Sequence, residues 1–106
     1  MDTDREIVER ITLEVQAGLA ALAPHLRSWV EAHLIQPRRI SLATDMHGTS
    51  FKTYWLITDH TGKNDSTYRV AYDEDARAFG LEVTMMTDVE WYMGTYGTFT
   101  ETIENM

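Results

Sequence analysis

The sequence predicts an α+β domain in the order αα-ββββ-α: two N-terminal helices, a four-stranded antiparallel β-meander and a short C-terminal helix. Three observations predict it. Apolar residues recur every three or four positions from Val8 to Leu26, and the period changes to two after Pro37. A capping-box pattern, Thr98-Phe99-Thr100-Glu101, then opens a helical ending. The 106 residues suit one domain, 1–106, and 43% hydrophobic with 25% charged residues suits a packed core rather than disorder.

The first helix opens on a capping box, Thr3-Asp4-Arg5-Glu6, and its expected buried stripe is Val8, Ile11, Val15, Leu19, Leu22 and Leu26. Gly18 weakens this helix without ending it. Pro24 fits the first turn of a second helix, from His25 to about Leu34, burying Leu26, Trp29, Val30 and His33. Pro37 is expected to close the helical half. Strands follow over 39–44, 50–58, 67–72 and from Phe79 to Met85, with turns at Met46–Thr49, Asp59–Ser66 and Asp73–Ala76. Short connections make neighbouring strands antiparallel. Phe51, Thr53, Trp55 and Ile57 share one face, as do Tyr68, Val70 and Tyr72, and as do Phe79, Leu81 and Val83. After Asp88 a short helical turn is expected through Met93, interrupted by Gly94 and Gly97, before the last helix.

Composition excludes several functions. With no cysteine there is no disulfide, thiolate nucleophile or cysteine-ligated metal centre. No apolar run approaches the ~20 residues of a membrane span, and the start lacks the basic-then-apolar pattern of a signal peptide. These features predict a cytoplasmic location. The net charge is −8, and residues 73–106 contribute −7 of it: eight acids stand against Arg77 alone. Such a field repels nucleic-acid phosphates, so no nucleic acid is expected as partner.

Motifs of chemistry are sparse. Neither a dinucleotide fingerprint nor a P-loop occurs, and the serines lack a nucleophile-elbow context. The Asp59–Asp65 stretch has Val70 where a calcium loop needs glutamate. Asp45 and His47 lie in the first hairpin turn. At ~3.3 Å per strand residue they stand nearly 30 Å from Asp59 and His60 and share no metal with them. The meander does bring Asp45 and His47 to the sheet end that holds Asp73, Glu74 and Asp75. A divalent-ion or acid/base site at Asp45–His47–Asp73 is therefore the enzymatic alternative. An aromatic ligand pocket around Tyr54 and Trp55 is a third reading. No cofactor and no metal are predicted.

The preferred reading is a non-enzymatic protein-binding domain: an inhibitor, an immunity-like protein of the bacterial kind, or an adaptor, by analogy of size and charge. Its expected contact residues are Glu90, Trp91, Tyr92, Tyr96 and Glu101. Trp and Tyr carry much of the energy at interfaces, and neighbouring carboxylates favour a basic partner.

Overall fold

A computed structural model describes residues 3–59, 68–84 and 88–106. Its elements are α1 (Asp4–Ala21), α2 (Pro24–His33), β1 (Leu34–Ala43), β2 (Phe51–Thr58), β3 (Tyr68–Asp73), β4 (Ala78–Thr84), β5 (Glu90–Gly97) and α3 (Phe99–Glu104). The α+β class and the antiparallel meander hold, with five strands in place of four. The expected turn at Asp59–Ser66 and the strand position of Met85 fall mainly or wholly outside the described residues. Among the described residues no helix is long and apolar enough to cross a membrane.

Both capping boxes form. Thr3 Oγ1 accepts from the Glu6 N–H and the Glu6 carboxylate accepts from the Thr3 N–H; Thr98 and Glu101 repeat the arrangement at α3. These satisfy donors that a helix start leaves open. On α1 the buried line is Ile7, Ile11, Val15 and Gly18, with Val8 and Leu19 at its margins. It is turned slightly from the expected stripe because Phe99 of α3 lies on the helix backbone at Gly18. A Cβ there would stand 2.9 Å from the Phe99 ring. Pro24 opens α2 as expected, and Arg27 ties the two helices by donating to the carbonyls of Leu19 and Leu22.

Pro37 does not end the helical half. β1 begins directly after α2, and the proline sits where the β1–β2 register shifts between Leu34 and Arg38. A bulge tolerates a residue with no N–H to give the ladder.

The larger correction concerns residues 88–97, where a strand replaces the expected helical turn. Asp88 has φ +64° and so turns the chain into β5, a left-handed conformation that aspartate tolerates better than most residues. Trp91, Tyr92, Thr95 and Tyr96 are strand formers. Gly94, at φ +151°, occupies the irregularity in the β4–β5 ladder near Leu81.

The five strands close into a barrel. Along the ladder Phe51 pairs with Ala43, Ala43 with Trp91, Trp91 with Val83 and Val83 with Tyr68. The Trp55–Tyr72 register, continued along both strands, sets Tyr68 opposite Asp59. One circuit therefore climbs from position 51 to position 59, eight residues along β2. Among the described residues this stagger lets β1 and β5 pair in register only at Ala43 and Trp91. A barrel of so few strands holds side chains rather than a channel.

Alternation divides the residues between two cores. Outward-facing Trp55, Ile57, Val70, Tyr72, Phe79 and Leu81 pack under the helices with Ile7, Ile11, Val30, Phe99 and Ile103. Inward-facing Leu42, Tyr54, Ala71 and Tyr92 form the barrel interior. Trp55, only 4% exposed, lies on the face expected of it. There its indole donates to Glu74 and the Arg39 guanidinium stacks over its ring.

Candidate binding surface at the barrel seam

Residues paired across strands share a face, so Phe51, Ala43, Trp91 and Val83 form one row on the outside of the barrel. The helix-side core is built on β2, β3 and β4, with Leu34 of β1 and Tyr96 of β5 at its edge, and this row is not part of it. Neighbouring strands lie ~4.8 Å apart, so Phe51 and Trp91 flank the small, fully buried Ala43 about 10 Å from each other. Phe51 is 59% exposed and Met46, in the adjoining β1–β2 turn, is 46% exposed, while Trp91 is half-buried. Val89 closes the patch against the same turn, where Gly48 has φ +70° and a Cβ would come within 3.2 Å of the valine.

The expected contact residues do not lie together. Trp91 is on this outer row. Glu90 points the other way, into the barrel end, where it binds Arg69, yet its side chain keeps 46% exposure. Tyr92 is buried at 6% exposure and stacks on Tyr54 with ring centroids 4.1 Å apart, so it is no surface anchor. Tyr96 packs partly buried against the helix-side core, and Glu101 is committed to the α3 capping box. Phe51 and Met46 were missed. Alternation assigned Phe51 to the Trp55 face, but its exposure depends on the helices stopping short of that end of β2.

The residues of the alternative sites have partners of their own. The Asp45 carboxylate accepts from the His47 and Thr49 N–H groups and from the Thr49 hydroxyl, which organises the turn and holds its pKa down. Asp73 is bound by Lys52 Nζ at 2.9 Å and also accepts from the Asp75 N–H within its own turn. Among the described residues no group of three or more histidine, aspartate or glutamate side chains is placed to hold a metal ion. Tyr54 and Trp55 face opposite sides of β2 and so line no common pocket.

Within the barrel, Arg69 is the hub of the ionic chemistry. It donates Nε to Glu82 at 2.9 Å and its two Nη groups to Asp59 and Glu90. Burial works against its charge, but the Glu82 and Glu90 carboxylates more than offset this, so its pKa is raised further. At the other barrel end Lys52 bridges Asp73 and Asp75, while Arg39 binds Asp4 and reaches Glu74. The acids of the Asp73–Asp75 turn are thus paired with cations from the near-neutral first part of the chain. Tyr92 shows the dryness of the interior: burial above all pushes its phenol up to about 12, against the opposing hydrogen bond with Thr95.

Comparison with protein-family models, with curated proteins and with solved structures finds no match for this chain.

Proposed function

We propose that this chain is a non-enzymatic protein-binding domain that docks a basic partner on the bare outer face of its barrel seam. The observation that carries this reading is the row Phe51–Ala43–Trp91, in which two large rings flank a small residue and Phe51 is exposed. Aromatic anchors of this kind supply short-range energy. Charge supplies the sign of the partner. Asp88 stands exposed at the start of β5, Arg69 is shared among Glu90, Glu82 and Asp59, and Arg39 and Lys52 are engaged by the chain's own carboxylates. With a net charge of −8, the field around the seam attracts a basic surface and hastens its encounter.

Affinity enrichment from host cells tests this, with wild type, Phe51→Ala, Trp91→Ala and Leu13→Ala as parallel baits. Leu13, 67% exposed on α1, is an apolar control away from the seam. A basic protein should be retained by wild type and Leu13→Ala and lost from the other two. Its retention should weaken as salt shortens the Debye length from ~30 Å at 0.01 M to ~8 Å at 0.15 M. Identical retention on all four baits would overturn the reading.

A further inference from the structure

A pocket of about 440 Å³ opens between α1, the β3–β4 turn and α3, and none of its lining residues belongs to the seam row. Its apolar wall is Phe79 and Phe99, both buried and packed edge-to-face. Such a volume is in the range of small-molecule sites.

Most of the polar groups lining it are spent. Thr98 and Glu101 serve the capping box, and the Thr100 hydroxyl donates to the Gly18 carbonyl. Two charges remain, Glu14 from α1 and Arg77 from the turn. Neither makes an ion pair among the described residues, with each other or with a third group. Arg77 sits at φ +53°, an uncommon conformation for a residue with a long side chain. Behind the wall, Tyr72 is fully buried and packs edge-on against Phe79. Its hydroxyl lies within electrostatic range of Glu14, Arg10 and Arg77.

We infer that this pocket binds a small zwitterion with an apolar body, of the amino-acid class, with its carboxylate at Arg77 and its ammonium at Glu14. Opposite charges on one rim discriminate by charge: Glu14 repels a simple anion and Arg77 a simple cation. The apolar lining contributed by Ala17, Ala78, Phe79 and Phe99 receives the apolar body. This site is independent of the seam surface.

The test is an amide chemical-shift titration of the full chain with L-phenylalanine, phenethylamine and 3-phenylpropionate. L-phenylalanine should shift the amides of Gly18, Phe79 and Gly97 saturably. Arg77→Gln and Glu14→Gln, both at exposed positions, should each weaken it at least tenfold, and the two singly charged probes should bind wild type at least tenfold more weakly. Trp91→Ala should leave this binding unchanged. The inference is overturned if L-phenylalanine causes no saturable shift. It is equally overturned if either variant binds it as wild type does, or if a singly charged probe binds as tightly.

Discussion

Replacing Arg69 with methionine tests the ionic hub of the barrel. Methionine keeps most of the side chain's length and removes its charge. The Arg69 side chain is 8% exposed and that of Glu82 is 0% exposed, so water does not replace the lost guanidinium at Glu82. Asp59 and Glu90 are better placed, at 31% and 46% exposure, and hydrate in its absence. The dominant loss is thus one stranded buried carboxylate, for which ~3–5 kcal/mol is typical. That is a large part of the ~5–15 kcal/mol by which domains are stable, and each kcal/mol lowers Tm by ~4–8 °C at this size. Urea unfolding followed by circular dichroism at pH 7 measures it. Adding Glu82→Leu to Arg69→Met removes the stranded carboxylate and should recover most of the loss. If Arg69→Met stays within ~1 kcal/mol of wild type at pH 7, or if the double variant is no more stable than the single one, the hub does not have this role.

Two further perturbations address the barrel interior. A Cβ at Gly80 would collide with the Gly94 carbonyl and the Tyr92 hydroxyl, so Gly80→Ala should cost ~1–3 kcal/mol or more. It should also disturb the near-ultraviolet signal of the Tyr54–Tyr92 stack; an unchanged spectrum and stability would refute that packing. The Tyr92 phenol, at about 12 in the fold against ~10 unfolded, binds its proton more tightly when folded. Its contribution to stability is therefore complete below pH ~10 and is lost as pH rises from there through about 12. Tyrosinate absorbance of the folded chain should show a late component that Tyr92→Phe removes; complete ionisation before pH ~11 in a folded chain would contradict this.

What the sequence made legible is what neighbours along the chain decide. The Thr3–Glu6 and Thr98–Glu101 boxes, Pro24 and the 3.6 period of α1 placed the helices, and alternation put Trp55 and Ile57 beneath them. Long-range events were not legible. β5 reads locally as a turn, since Asp88, Gly94 and Gly97 interrupt it; its strand state follows from pairing with β4 and closing onto Ala43, which lies 48 positions before Trp91. The acids at 73–75 look like a free surface until folding brings Lys52 and Arg39 to them. Tyr92 and Trp91 are adjacent in sequence and equally aromatic, and only the two faces of a closed barrel separate the buried ring from the half-exposed one.

The seam surface is tested most directly by placing a photo-crosslinking aromatic amino acid at position 51 and, in a separate chain, at position 13. Each is expressed in the host cell, irradiated and analysed by mass spectrometry. Position 51 should give an adduct with a basic protein that disappears when Trp91→Ala is added, and position 13 should not give that adduct. Absence of any adduct at 51, or the same products from both positions, would contradict a docking role for the Phe51–Trp91 row.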